Sequence, residues 1–83
     1  MGTTRKDISN WLENGKEKNI THMIVVCDTF DYEDYPVYVS KNQNATEEYS
    51  KINGVNMQKV MEVYSYNRDL EDQLNEGRVF HFD

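Results

Sequence analysis

The sequence predicts a small α+β domain: a three- or four-stranded, mainly antiparallel sheet with helices packed on it. Three observations support this. Met23-Ile24-Val25-Val26-Cys27 is a continuous apolar run, as a strand covered on both faces requires. Val37-Tyr38-Val39 follows after a short polar stretch and Pro36, the spacing of an antiparallel hairpin. Ile8, Trp11 and Leu12 recur at i, i+3 and i+4, one apolar stripe of an amphipathic helix. Read along the chain, the order is αββαβα(β), with the helices largely on one side of the sheet.

Each element has local support. The first helix is expected from Arg5 to Lys18. Thr4 and Asp7 have capping-box spacing, and Lys16 and Lys18 complement the C-terminal end of the helix dipole. Gly15 weakens this helix, and Asn19 suits a left-handed residue past its end. Strand one is expected from Thr21 to Asp28, and strand two from Tyr35 or Pro36 to Ser40. Pro36 has no N–H to give a ladder, so it belongs at a strand start or a sheet edge. Asn44 or Thr46 caps a second helix, with Glu47 and Glu48 in its first turn, Tyr49 and Ile52 on one face and Gly54 past its end. Val55 to Tyr66 fits a helix through Met57, Val60, Met61 and Tyr64, or a strand face through Val55, Met57, Met61 and Val63. Its branched and aromatic residues favour a third strand. Asn67 is expected to cap a last helix, with Asp69, Glu71 and Asp72 near its positive end and Leu70 and Leu74 inward. Gly77 ends that helix, and Val79-Phe80-His81-Phe82 alternates like a short final strand. Residues 1–83 read as a single domain, with residues 1–4 expected to fray.

Composition narrows the function classes. The 83 residues allow one modest core. Apolar content is 37% and mean hydropathy is -0.88, but six Tyr, three Phe and one Trp argue against disorder. So small a core gives either a marginal monomer or a protomer stabilised by self-association, and a homo-oligomer is the expectation. The single cysteine, Cys27, excludes an internal disulfide and reads as a core thiol. The N-terminus is polar and the longest apolar run is far short of a membrane span. Lys6 stands where a myristoylation signal needs Ser or Thr. A cytoplasmic protein without membrane association is expected. Net charge is -6, with 15 acids against nine bases, which opposes direct DNA or RNA binding. The same charge serves solubility, or mimicry of nucleic acid towards a basic partner.

The segment from Asp28 to Tyr35 holds four carboxylates (Asp28, Asp31, Glu33, Asp34) and three rings (Phe30, Tyr32, Tyr35). Loops held by a rigid scaffold commonly carry binding. The acids lack the DxDxDG series and closing Glu of an EF-hand, so no metal or cofactor is expected, and a solvated hairpin tip is the simpler reading. A glycosidase-like carboxylate pair needs cleft walls that a short chain does not supply. His22 and His81 fall in no HExxH or Cys/His ligand spacing. His22 reads as a partly buried ring satisfied by the backbone. Five residues from Cys27 on one strand, it faces the opposite side, against a nucleophile–base pair. No GxGxxG, P-loop, GxSxG or CxxC occurs, so the protein is read as no enzyme.

The aromatics suggest a ligand. Trp11, Tyr32, Tyr35, Tyr38, Tyr64 and Tyr66 exceed what a small core needs. A nucleobase could stack on a ring while carboxylates accept bonds from ribose hydroxyls. Arg68 or Arg78 could take a phosphate bidentately. The competing reading is that the tyrosines cover the sheet and wet their hydroxyls. The candidate ligand-binding set is Asp28, Thr29, Asp31, Tyr32, Asp34 and Tyr35 of the hairpin, with Tyr64, Tyr66 and Arg68. It would hold a nucleotide-like small molecule.

THMIVVCDTFDYEDYPVYV, at Thr21 to Val39, and the later NMQKVMEVYSYNRDLEDQL resemble a group of short proteins encoded by bacteriophages and prophages. The likeness runs from Trp11 onward. Phage genomes are rich in small acidic proteins that disarm host defence. The resemblance therefore implies a non-catalytic counter-defence protein of an infected or lysogenic bacterium, sequestering a nucleotide-derived immune signal. The alternatives are an acidic inhibitor of a host defence nuclease and a small metal-dependent hydrolase.

Overall fold

The computed structural model describes residues 3–83. The chain forms α1 (Arg5–Lys16), β1 (Ile20–Asp28), β2 (Glu33–Ser40), α2 (Ala45–Ile52), β3 (Gln58–Ser65) and α3 (Leu70–Leu74). The strands make one sheet in the order β2-β1-β3, with both neighbours antiparallel to β1. The α+β class and the αββαβα order are as the sequence predicts. The central place of β1 follows from its composition: Met23, Ile24, Val25 and Val26 are 0–2% exposed, and only a middle strand covered on both faces buries consecutive residues.

That double burial corrects one expectation. The helices do not share a side. Ile8 and Leu12 of α1 pack with Met23, Val25 and Tyr64 on one face, joined by Leu70 and Leu74 of α3. Ala45, Tyr49 and Ile52 of α2 pack with Ile24, Val26, Val39, Val60 and Val63 on the other. Alternation along β1 gives each face its own apolar set, so each needs its own cover. Val60 and Val63 share a face despite odd spacing, because the β1–β3 register slips between Val25↔Glu62 and Val26↔Val60, leaving Met61 as the extra residue. This bulge overturns the strand face read as Val55, Met57, Met61 and Val63.

The caps are partly as expected. Thr4 caps α1 in a full capping box with Asp7, and Asn44 caps α2 by accepting from Glu47 N–H. The expected fraying of residues 1–4 falls partly on residues 1 and 2, which lie outside the described residues; Thr4 is fixed by its cap. α1 ends at Lys16, short of Lys18. α3 is capped by Asp69, not Asn67: its carboxylate accepts from the Glu71 and Asp72 N–H groups, while Asn67 donates to the Asp83 carbonyl at 2.8 Å. The terminal strand reduces to one parallel bridge, Val63↔Phe80. There Val63 N–H donates to Val79 at 2.7 Å and His81 N–H to Val63 at 3.0 Å.

Polar contacts anchor the cover. Tyr38 and Tyr66 donate their hydroxyls to the carbonyls of Trp11 and Leu12, each at 2.8 Å, so their phenols serve α1 rather than water. Gly15 allows this close approach. A Cβ there would collide with the Tyr66 hydroxyl and lie 2.9 Å from both Ile20 Cδ1 and Tyr38 Cε1. Buried Gln73, which the sequence pattern did not single out, accepts from Ser65 N–H and donates to Ser65 C=O, both at 2.8 Å. It thereby ties α3 to the end of β3.

Two outcomes follow. Ile24→Ala is expected to lower stability by about 2–5 kcal/mol in chemical denaturation, through lost burial and a cavity in the central strand. The second concerns His22, buried with Nδ1 2.8 Å from Thr21 Oγ1 and Nε2 unpartnered among the described residues. Burial lowers its pKa from 6.5, against the raising effect of the nearby Phe82 and Asp83 backbone and the Asp83 charge. The folded state thus resists a proton that the unfolded chain accepts. The His22 contribution is intact above about pH 6.5 and is lost as pH falls below it, with a slope of up to about 1.4 kcal/mol per pH unit. Denaturation midpoints between neutral and mildly acidic pH should fall less steeply in His22→Asn.

Candidate functional site

The hairpin is tighter than its sequence suggests. The β1–β2 ladder continues through Cys27↔Asp34 to Asp28↔Glu33, so Glu33 and Asp34 are strand residues and the loop is Thr29 to Tyr32. Tyr32 N–H closes it on Asp28 C=O at 2.7 Å. The Asp28 carboxylate accepts from Phe30 N–H at 2.8 Å and Asp31 from Glu33 N–H at 3.2 Å, the side-chain turns that Asp favours. Asp28 and Glu33 stand directly opposite across the strands, a pairing that like charges disfavour.

A second turn completes this end of the sheet. The Thr29 backbone N–H and hydroxyl both donate to Met57 C=O, at 2.7 and 2.8 Å. The hairpin tip is thereby tied to the turn between α2 and β3. Together the two turns expose Phe30 (76%), Tyr32 (70%), Met57 (60%) and Val55 (41%). Three of the non-glycine residues here are left-handed: Tyr32 (φ 59), Asn56 (φ 53) and Met57 (φ 62). Such backbone costs roughly 1–2 kcal/mol per residue and concentrates where side chains are presented for binding.

The candidate residues divide into separate groups. Asp28, Thr29, Asp31, Tyr32, Asp34 and Tyr35 gather at the hairpin end, although Tyr35 is half-buried and its hydroxyl accepts from Gln58 Nε2. Tyr64 and Tyr66 do not join them. Tyr66 N–H bonds Thr21 C=O, seven residues along β1 from Asp28, about 23 Å at roughly 3.3 Å per residue. Tyr64 is fully buried, so it has no face to offer a ligand. Its hydroxyl donates to Glu62 at 2.8 Å and accepts from Arg5 at 3.0 Å, and burial raises its pKa, reinforced by Glu62. Arg68 is held by Asp83, Nε to Oδ2 at 2.8 Å and NH2 to Oδ2 at 2.7 Å; this pairing raises the Arg68 pKa and lowers that of Asp83. Tyr66 and Arg68 instead line a concavity of about 450 Å³ with Lys16, Leu70 and Glu71.

Cys27 is half-buried at the hairpin end rather than in the core. Burial raises its thiol pKa, as do Asp34 and Asp28, outweighing Lys59, so the nucleophilic thiolate is disfavoured. No group of three or more His, Cys, Asp or Glu among the described residues could hold a metal ion. None of the four hairpin carboxylates joins an ion pair among the described residues; those pairs use Arg5, Lys16, Lys51, Arg68 and His81. Phe30 stood in view in the sequence, but Val55, Asn56 and Met57 carried no sign of belonging to this site, because the Asp28↔Gln58 pairing and the Thr29–Met57 contact that bring them to the tip join residues far apart in the chain.

The fold and this end of the sheet define a small α+β domain with an acidic, aromatic-bearing double turn. No protein-family model matches the chain, and no curated protein or solved structure matches it. Among the described residues no helix is long and apolar enough to cross a membrane.

The strain at position 57 is directly testable. Met57→Gly should hold or raise the melting temperature, because glycine adopts φ near +60° without a steric penalty. Met57→Val, branched at Cβ, should lower stability by about 1–2 kcal/mol. Thermal denaturation of the pair checks this order.

Proposed function

We propose that this chain is a non-catalytic protein-binding module whose hairpin end docks on a basic surface of a partner protein. One observation carries the reading. Phe30, Tyr32, Val55 and Met57 are exposed together beside Asp28, Asp31, Glu33 and Asp34, none of which has an ion-pair partner among the described residues. Aromatic and methionine anchors are enriched in interface centres, and the charges around them select the partner's sign. A second copy docked on this end would oppose carboxylate to carboxylate, and nucleic acid is repelled by the same charge. A basic protein surface complements it.

This reading develops the inhibitor alternative. Sequestration of a nucleotide by the hairpin with Tyr64 and Tyr66 as its wall would need groups at opposite ends of β1 to meet. The resemblance to phage-encoded proteins points to a host protein, and the basic channel of a defence nuclease has the required chemistry. The tip acids would then stand where phosphates run.

A photo-crosslinking residue at position 30, expressed in bacteria, should yield one discrete adduct, and position 51 on α2 should yield none. With the purified partner, Phe30→Ser and Tyr32→Ser should each weaken binding about 10- to 30-fold, as for anchor residues worth about 1–2 kcal/mol. Melting temperatures should barely change. Affinity should fall with added salt and EDTA should leave it intact, since charge pairing at an exposed interface is screened and uses no cation. The partner's nucleic acid should compete. Binding insensitive to both substitutions and to salt, or turnover of a nucleotide restored by Mg²⁺, would overturn the reading.

A further inference from the structure

We infer that the trough between α1 and α3 is a second binding site, for a flat aromatic ligand of nucleoside monophosphate size carrying a single phosphate group. It is independent of the hairpin reading. Two adjoining concavities, of about 260 and 450 Å³, share Lys16, Leu70 and Glu71, and sites for small organic ligands typically enclose about 300–1,000 Å³. Leu12, Leu70 and Leu74 line it with apolar surface, and Tyr66 adds an aromatic wall. The Tyr66 hydroxyl is spent on the Leu12 carbonyl at 2.8 Å. Its ring is therefore locked in place, a preorganised surface for a planar group.

The cations supply the second half of the recognition. Lys16 and Arg68 line the same concavity. Among the described residues each is paired with an exposed carboxylate: Lys16 with Glu13 at 3.0 Å, and Arg68 with Asp83 at 2.7 Å. The single-contact Lys16–Glu13 pair contributes little, so an incoming oxyanion exchanges for it at small cost, while Arg68, gripped by Asp83 through both Nε and NH2, adds its charge to the rim. The Nε and NH2 edge of Arg68 is occupied by Asp83, so its other N–H donors are the ones that would meet an oxyanion. The acids nearby limit the charge rather than forbid it. Asp69 is already satisfied by the Glu71 and Asp72 N–H groups, at 2.9 and 3.2 Å. Glu13 and Glu71 remain on the walls, where they oppose a polyphosphate and can accept bonds from hydroxyl or amine groups. A ring, one oxyanion and a hydrogen-bond donor together describe the ligand.

The test is amide and methyl NMR titration of the full chain with adenosine monophosphate, adenosine and inorganic phosphate. Adenosine monophosphate should give saturable shifts at Lys16, Tyr66, Leu70 and Leu74, and either half alone should bind several-fold more weakly. Lys16→Glu and Arg68→Gln should each weaken binding about three- to fivefold, the effect of one exposed charge pair. Lys51→Glu, the same charge change on α2, should leave it unaltered. Arg68→Gln also releases Asp83, so Lys16→Glu is the deciding variant. Shifts that never saturate, that centre on the hairpin, or that survive Lys16→Glu unchanged would overturn the site.

Discussion

The burial of β1 on both faces is the constraint on which the rest of this structure depends. Met23, Ile24, Val25 and Val26 each lose nearly all contact with solvent, and alternation sends their side chains to opposite faces. An 83-residue chain must therefore cover both sides of its sheet with very little material. α1 and α3 meet one side. α2 alone is too short for the other, so Phe80 packs against that cluster and Phe82 stands edge-on to Tyr49 at 5.5 Å. The segment after α3 is thus structural cover, even though it contributes only one bridge to the sheet.

Polar groups hold this cover in place, and that explains the surplus of tyrosines. Tyr38 and Tyr66 place rings beneath α1 and donate to its carbonyls, Tyr64 bonds between Glu62 and Arg5, and Gly15 leaves the space these contacts occupy. A phenol that spans an apolar core and still finds an acceptor adds area without stranding a polar atom. What reads in sequence as spare aromatic capacity for a ligand is, for Tyr38 and Tyr64, packing, whereas Tyr66 packs through its hydroxyl and also lines the trough between α1 and α3. Only Tyr32 remains largely free, at the end of the sheet where the scaffold makes fewest demands.

The two ends of β1 consequently differ in chemistry. At the hairpin end, cross-strand acids, left-handed backbone and exposed apolar side chains coincide, each of them unfavourable for stability alone. Local rules broken together are expected where a surface is kept for binding. At the other end, Lys16 and Arg68 flank an aromatic and leucine-lined trough, each paired with an exposed carboxylate. The rigid sheet between them keeps the two surfaces apart.

Much of the fold was legible because its signals are local. The Thr4–Asp7 box, the Asn44 cap, the apolar run of β1 and the alternation of β2 lie within a few residues of what they specify, and the order αββαβα follows from them. The cap of α3 moved from Asn67 to Asp69 because contacts with Asp83, fifteen or so residues away, engaged Asn67 and Arg68 instead. The face of each β3 residue was not legible, because the Met61 bulge shifts the parity of the strand and is set by pairing with β1. The candidate site was half legible: its acids and rings are contiguous in sequence, whereas Val55, Asn56 and Met57 reach them through the Thr29 contact and the pairing of β3 with β1. By itself the sequence determined the order of the main elements, the caps of α1 and α2 and the central strand, since these rest on short-range periodicity and hydrogen bonds. Tertiary structure decided which face each helix covers, which tyrosines are buried and which turns share a surface, since those depend on contacts between residues far apart in the chain.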